Sequence, residues 1–237
     1  MSHRFNIAVR SLVEFVLRSG DLGSGYFGAV RPIEGIRAHQ KIQQQRPDHY
    51  HAEVPLSHAV RKNNVELVVS GRVDGIFHGP EQVVIEEIKT TLRPLKELQA
   101  ARNPIHWGQA KCYAFMYAVQ ENLEQVAVQL TYVDLQSGEQ CEILHEYDFA
   151  ALRDFFEETV ERYLHWLMIL ARWQAGRDDS LQKLTFPFEI YRAGQRAMAV
   201  ETYRAIRDQK QLLAQAATGI GKTMAPVPGL PADPPPS

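Results

Sequence analysis

The segment that decides the fold runs from Val65 to Thr90, and its central part, residues 71–89, reads GRVDGIFHGPEQVVIEEIK. Apolar and polar residues alternate before residue 78, and β-branched residues recur after residue 82, which predicts two strands, Val65–Phe77 and Val83–Thr90. The residues between them, His-Gly-Pro-Glu, are typical of a turn. Two strands this close in sequence are expected to pair as an antiparallel hairpin.

Two carboxylates and a lysine are expected to meet on this hairpin. Side chains alternate along a strand, so Glu87 and Lys89 share one face while Glu86 points to the other. The turn places Asp74 opposite residues 85–87, where its carboxylate approaches that of Glu87. Two such carboxylates repel each other unless a cation lies between them, and hard oxygen ligands favour Mg²⁺ or Mn²⁺. With Lys89 beside them to stabilise charge on a phosphate, the pattern indicates phosphodiester hydrolysis.

The segments on either side of the hairpin alternate between helices and strands. The stretch that carries His49, His51 and His58 is polar and has no regular ligand spacing, so a loop without a metal site is expected there. Helical signals predict helices at Val9–Val16, from Pro32 onward, and at Pro94–Ala101, Pro104–Glu121 and Phe149–Trp173, and a second hairpin is predicted from Val126–Leu135 and Cys141–Tyr147. This order predicts one mixed α/β domain over residues 1–178.

Three more side chains are candidates for the same site. Gln109 and Tyr113 are four residues apart on a predicted helix, so they face the same way, with Lys111 nearby, and could hold a nucleic-acid strand. His39 could be an additional metal ligand, since imidazole is used for these cations where carboxylates dominate. The alternatives are a place in the core for Tyr113 and a structural role for His39.

The combined pattern resembles the PD-(D/E)XK nuclease superfamily in its RecB-like branch. The motifs that carry the resemblance are Gly71-Arg72-Val73-Asp74, Glu87-Ile88-Lys89 and Gln109-Ala110-Lys111-Cys112-Tyr113, with His39 upstream. The resemblance implies a restriction-endonuclease-like core, in which helices flank a central mixed sheet, and metal-dependent cleavage of DNA, as single strands or at duplex ends. Val73 stands where the family's name has proline.

The resemblance also implies a role for each motif residue. The groups that would bind Mg²⁺ or Mn²⁺ are His39, Asp74, Glu87 and the main-chain carbonyl of Ile88. Lys89 would be catalytic, and Gln109 and Tyr113 would lie beside the scissile strand. Some relatives also hold an iron–sulfur cluster on four cysteines, but this chain has 2 cysteines, so no cluster is expected.

A different unit is predicted after residue 178. Residues 216–223 read AATGIGKT and fit a phosphate-binding loop. The residues with expected roles are Gly219 and Gly221, whose backbone would cradle phosphates, Lys222, which would contact the β and γ phosphates, and Thr223, which would bind magnesium. Upstream, residues 188–195 resemble the adenine motif of DinG-type helicases, relatives of XPD, with Gln195 reading the adenine.

The ATP site of this unit is expected to be incomplete. No acidic strand of the Walker B type follows Thr223, and Pro226 and Pro228 end any helix within about a turn. Residues 179–225 are therefore expected to be the start of a helicase ATPase domain, truncated just after its phosphate loop and without ATP hydrolysis. Residues 226–237 are proline-rich and are predicted to be disordered.

The composition narrows the class of protein. The 237 residues are 45% hydrophobic and 23% charged, as in soluble globular proteins, and no apolar run reaches the roughly 18 residues of a membrane helix. A net charge of -2 gives no global attraction to a polyanion, so nucleic acid would need a local patch, for which the basic residues from Lys89 to Lys111 are the candidate. We expect a cytoplasmic monomer that acts on DNA and does not associate with a membrane.

Two alternative functions stay open. The chain could be a non-catalytic nucleic-acid-binding module that serves a helicase motor, although binding alone does not require two opposed carboxylates near a phosphate. It could also be a small nucleotide-binding protein built on its phosphate loop, and the missing Walker B strand argues against this alternative.

Overall fold

The computed structural model describes residues 3–18, 32–62, 65–80, 82–92, 95–96, 103–183 and 189–219. The strands within these residues are β1 His3–Ala8, β2 Tyr50–Lys62, β3 Val65–His78, β4 Val83–Thr91, β5 Gln125–Asp134 and β6 Gln140–Asp148. The helices are α1 Val9–Leu17, α2 Pro32–Gln45, α3 Pro104–Glu121, α4 Phe149–Gln182 and α5 Gln195–Arg207. The mixed α/β class predicted from the sequence is confirmed.

The strands form one mixed sheet in the order β1-β3-β4-β5-β6, with β2 paired to β3. β1 runs parallel to β3, and β4 runs parallel to β5. The pairs β2–β3, β3–β4 and β5–β6 are antiparallel, so both predicted hairpins are confirmed. The central mixed sheet flanked by helices is the core that the resemblance implies.

The sheet splits beside β3, and this split positions the site. β2 pairs with one edge of β3 along its length. The other edge is shared, because β1 pairs with residues 65–70 and β4 pairs with residues 75–78. Between these pairings, residues 71–74 have no partner strand on that edge within the described part of the chain. Asp74 is the last residue before the pairing with β4, so it lies at the gap.

Helices cover both faces of the sheet. α3 lies on the face that carries the side chains of Glu87 and Lys89, and its residues from Trp107 to Ala118 are buried, except for the half-buried Lys111. α2 covers the opposite face, where Ile42 packs against Ile88 and Val133. The inward residues of α4 recur at helical spacing, as predicted, and are Leu152, Phe156, Val160 and Leu164.

Two strands lie where the sequence predicted none. β1 occupies the residues before the first predicted helix, and β2 replaces the loop expected around the histidines, so the loop prediction is wrong for His51 and His58. Leu56 is the one fully buried residue of β2, and the others are half-buried or exposed. The apolar alternation that marks a strand is therefore faint in β2.

The chain divides into two compact units, residues 1–166 and 167–237. The sequence of residues 177–180, Arg-Asp-Asp-Ser, predicts a linker, and this prediction is wrong, because α4 continues through these residues to Gln182. Exposed charges pair along this part of the chain. The predicted helix at residues 94–101 falls largely outside the described residues, and residues 226–237 fall wholly outside them. None of the described helices combines the length and apolar character needed to cross a membrane.

We expect Gly108→Ala to lower the free energy of unfolding by about 1–3 kcal/mol. α1 packs on α3 at this glycine, and an added Cβ would lie 2.8 Å from both Val13 Cγ1 and Leu17 Cδ1. Val13 is fully buried and β-branched, so the helices would have to separate.

Gly176→Ala is the matched control, because nothing lies within 4 Å of an added Cβ on this exposed turn of α4. Alanine there should leave stability unchanged or raise it by about 1 kcal/mol. Urea unfolding of both variants measures the difference. A G108A unfolding curve that overlays the wild-type curve would show that the contact between α1 and α3 accommodates the added methyl group without loss of stability.

Candidate active site

Asp74 lies at the gap between β3 and β4 and is held from two sides. Its Oδ1 is 3.3 Å from His39 Nδ1 on α2, and its Oδ2 accepts a 2.7 Å hydrogen bond from the backbone N–H of Ile88. The ladder between β3 and β4 ends at the pair Gly75 and Glu86, so the next β4 amides need another acceptor. The Asp74 carboxylate supplies that acceptor and closes the end of the hairpin.

The contact with Asp74 raises the pKa of His39 above its ordinary value. Burial alone lowers this pKa, but the hydrogen bond to Asp74 and the negative charge of Asp74 outweigh burial. The side chains of His39 and Asp74 are 25% and 16% exposed, so the pair is reachable from solvent. The pair is an ion pair while His39 is protonated, and it offers two ligand groups when His39 is neutral.

Glu87 and Lys89 form a second pair, on the α3 face of β4. Lys89 Nζ lies 2.5 Å from Glu87 Oε1, whereas Glu87 Oε2 is buried and has no hydrogen-bond partner among the described residues. Burial raises the pKa of Glu87 to about 7, with Lys89 opposing the rise and the charge of Asp74 adding to it. A buried oxygen without a partner costs free energy, so Glu87 keeps one oxygen available for a ligand.

Glu86 points to the opposite face, as the alternation along the strand predicts. Its carboxylate accepts hydrogen bonds from the guanidinium of Arg46, from Thr131 Oγ1 at 2.5 Å and from Gln129 Nε2 at 3.1 Å. The same guanidinium extends to Glu142 at 2.7 Å. Glu86 is therefore a buried and fully partnered residue that ties α2 to the sheet.

Gln109 and Tyr113 lie on one face of α3, as predicted, and are 4% and 7% exposed. The ring of Tyr113 lies over Gly71, where an added Cβ would be 2.4 Å from the phenol oxygen. Burial and the charges of Glu87 and Asp74 raise the pKa of Tyr113. Tyr113 therefore places a neutral hydroxyl at the gap in the sheet.

The basic edge expected from Lys89 to Lys111 is not continuous. The Lys111 ammonium lies 4.3 Å from the ring centroid of Phe155 and 5.3 Å from that of Tyr147. It therefore points away from Gln109 and Tyr113, and its predicted place beside them is wrong, because helix positions two apart face different sides. Two other members of this edge, at positions 93 and 102, fall outside the described residues.

Sequence reasoning missed His106, which lies one turn before Gln109 on α3. Its Nδ1 is 2.9 Å from the hydroxyl of Tyr132. Burial, together with the charges of Lys89 and Arg10, lowers the pKa of His106 to about 4. A neutral imidazole therefore lies near the Lys89 charge, and its spacing of three from Gln109 is the signal that points to it.

Comparison with known proteins identifies the family. The sequence profile of the PD-(D/E)XK nuclease superfamily matches residues 25–185, more than half of the chain. The chain belongs to this superfamily. Membership makes nucleic acid the substrate class and divalent metal ions the usual cofactor of this PD-(D/E)XK protein.

Solved structures that are similar to this PD-(D/E)XK chain include the following three. The crystal structure of SSO0001 is 20% identical over 66% of this chain and 75% of its own, with a TM-score of 0.43. The phage-related exonuclease from Haemophilus somnus 129PT is 13% identical over 69% and 82%, with a TM-score of 0.36. Candida albicans Rai1, in complex with pU5 and Mn²⁺, is 10% identical over 41% and 25%, with a TM-score of 0.20. No curated protein sequence matches the chain.

The residues at the gap fit the hard divalent cation that PD-(D/E)XK nucleases use. His39 and Asp74 are in contact, and Glu87 keeps a buried oxygen without a partner among the described residues. These ligands are not gathered in advance: within the described ranges, no three His, Cys, Asp or Glu side chains form a ready metal cluster. Glu87 is drawn to Lys89 instead, so its carboxylate would have to share or exchange that contact.

In the second unit, Arg192 connects the two segments for which the sequence predicts a nucleotide site. Gln195 is 3% exposed, and its Oε1 accepts a 2.8 Å hydrogen bond from the backbone N–H of Arg192. The guanidinium of Arg192 donates to the carbonyl of Gly219, which has a φ of 85° that glycine adopts readily. The remaining loop residues, Gly221, Lys222 and Thr223, lie outside the described residues, and the ATP site stays a prediction.

We expect His106→Gln to reduce the acid sensitivity of the fold. The folded-state pKa of His106 is about 4 and its ordinary value is 6.5, so below pH 6.5 the unfolded chain binds a proton that the folded protein does not. Stability therefore falls as the pH drops toward the folded-state pKa, by about 2 kcal/mol at about pH 4.5.

Urea unfolding at about pH 7 and about pH 4.5 measures this effect. The difference in the free energy of unfolding between these two pH values should be smaller in H106Q than in wild type. The variant His165→Gln, at an exposed position of α4, should keep the wild-type difference. An H106Q variant as acid-sensitive as the wild type would contradict a buried, neutral His106.

Loss of the negative charge should lower the stability of the protein at Glu86 but not at its neighbour Glu87. Glu86→Gln leaves the Arg46 guanidinium without its buried partner and should lower the free energy of unfolding by about 3 kcal/mol. Glu87→Gln removes a carboxylate whose Oε2 has no partner among the described residues, so stability should be unchanged or higher. Urea unfolding compares them, and equal losses would show that Glu87 carries no stability cost.

Proposed function

We propose that the chain is a Mg²⁺- or Mn²⁺-dependent deoxyribonuclease that hydrolyses phosphodiester bonds in single-stranded DNA or at duplex ends. The observation that supports this most is that Asp74, Glu87 and Lys89 lie at the split beside β3, close enough for the charges of Lys89 and Asp74 to act on Glu87. There Asp74 contacts His39, and Glu87 keeps a buried oxygen without a partner among the described residues. A module that only bound DNA would gain nothing from carboxylates that repel phosphate.

Four groups would hold the cation, namely His39, Asp74, Glu87 and the main-chain carbonyl of Ile88. A bound divalent ion supplies Lewis acidity at the phosphate and lowers the pKa of a bound water. The protein orients two of these ligands: the N–H of Ile88 fixes one oxygen of Asp74, and the other oxygen contacts the ring of His39.

Lys89 would act on the substrate itself. Its ammonium lies 2.5 Å from Glu87 Oε1, and it would meet the negative charge that develops on the phosphate, where a preorganised cation stabilises the transition state. Gln109 and Tyr113 would contact the strand from the α3 side, and the raised pKa of Tyr113 keeps its hydroxyl a hydrogen-bond donor.

The wider context of this proposal is a helicase–nuclease of the RecB-like branch, with a role in DNA repair, replication or defence. It is supported by the adenine-type motif at residues 188–195 and the phosphate-loop sequence at residues 216–223. The hydrogen bond from Arg192 to Gly219 joins these two segments. The proposal does not include ATP hydrolysis by this chain.

Lys89→Met, with Lys183→Met as the control, tests the proposal. End-labelled single-stranded and duplex DNA is incubated with each protein in Mg²⁺, Mn²⁺ or EDTA, without ATP. We expect metal-dependent cleavage that falls by at least about 100-fold in K89M. Cleavage by K183M should equal that of wild type, because Lys183 is an exposed residue paired with Asp179.

The other possible results of the cleavage assay lead to different conclusions. Cleavage that persists in K89M would remove Lys89 from the catalytic machinery. No cleavage by the wild-type protein, with DNA still retained in a mobility-shift assay, would favour the non-catalytic binding module. Where cleavage occurs, the ladder of products gives its polarity.

A further inference from the structure

The main chain of Asp74 is held by side chains instead of a neighbouring strand. Its carbonyl oxygen accepts a 2.9 Å hydrogen bond from Gln43 Nε2 on α2 and a 3.3 Å hydrogen bond from the Tyr50 hydroxyl on β2. Carbonyls within a sheet ordinarily accept from the N–H groups of the next strand. Two side chains therefore replace ladder bonds at the residue that carries the first carboxylate of the site.

β2 provides no register partner directly across from Asp74. The register between β2 and β3 skips one pair, Glu53 and Asp74. Glu53, the residue across from Asp74, has a φ of 56°, in the left-handed region that side chains with a Cβ rarely adopt. Tyr50 occupies the space over Gly75, where an added Cβ would lie 1.8 Å from the hydroxyl.

α2 contacts Asp74 at two points. His39 and Gln43 are four residues apart and lie on the same side of the helix. His39 reaches the carboxylate of Asp74, and Gln43 reaches its carbonyl. Ile42 is buried against Ile88 and fixes the rotation of α2 about its axis. The carboxylate and the main-chain carbonyl of Asp74 are thus both oriented by one anchored helix.

We propose that Gln43 is a positioning residue of the metal site. It fixes the backbone of Asp74, so that the carboxylate stays between His39 and the N–H of Ile88, oriented to bind a divalent cation. The inference rests on the proposed function, because that function makes Asp74 a metal ligand. Gln43 acts through Asp74 and is not itself a ligand, and loss of such an orienting group weakens metal binding by about 10–100-fold.

A purely structural role for Gln43 makes a different prediction. Its amide also lies 3.2 Å from Glu53 Oε1, which would tie α2 to β2 without any effect on the metal. In that case, removal of the amide would lower the unfolding temperature and leave the affinity of the folded protein for the cation unchanged.

Gln43→Met and Gln44→Met form a matched pair for the test. Methionine keeps the length of the side chain and the helix propensity but removes the donor, and Gln44 is the exposed neighbour on the same helix. Calorimetric titration of Mn²⁺ into each full-length protein, without DNA, gives the dissociation constant. Thermal unfolding without metal gives the stability of each variant.

We expect Q43M to bind Mn²⁺ at least about tenfold more weakly than wild type, with Q44M unchanged and Asp74→Asn weaker than Q43M. Wild-type affinity in Q43M, or an equal loss in Q44M, would overturn the positioning role and leave the metal site intact. A wild-type protein that binds no Mn²⁺ would overturn the proposed function and this inference together. If Q43M does not fold, Gln43→Ala replaces it, since alanine removes the same donor.

Discussion

Backbone N–H and C=O groups inside a sheet need hydrogen-bond partners, and one edge of β3 cannot supply them continuously because β1 and β4 share it. Residues 71–74 fall between these two strands. The missing partners come from side chains: the Asp74 carboxylate accepts from the N–H of Ile88, and Gln43 and Tyr50 donate to the Asp74 carbonyl. A carboxylate is therefore fixed at the gap by the same interactions that satisfy the backbone there.

Two adjacent residues of β4 differ in their roles: one contributes to stability, and the other belongs to the candidate active site. Glu86 faces α2 and has a complete set of partners, including Arg46, so its burial holds the sheet and the helix together. Glu87 faces α3, where burial raises its pKa to about 7 and one oxygen has no partner within the described residues. A buried carboxylate oxygen without a partner is unfavourable by itself, and binding of a cation would relieve this cost.

Much of this arrangement could be predicted from the sequence, because the alternation of side chains along β4 fixes the faces of Glu86 and Glu87 without any knowledge of the fold. β2 could not be predicted, since Leu56 is its one buried residue and its apolar alternation is faint. The contact of Gln43 with Asp74 could not be predicted from the sequence either. It joins α2 to a residue 31 positions further along the chain, and no local pattern predicts such a contact.

β6 ends the order of strands, so within the described part of the chain one of its edges is free. Such an edge is a template on which a second sheet can grow, which leads to aggregation. Along β6, however, the exposed positions carry Glu142, Glu146 and Asp148, with the half-exposed Leu144 between them. Two copies that met along this edge would bring carboxylates against carboxylates, and like charges on neighbouring strands repel. The acidic side chains of β6 therefore disfavour pairing of this edge with the same edge of a second copy.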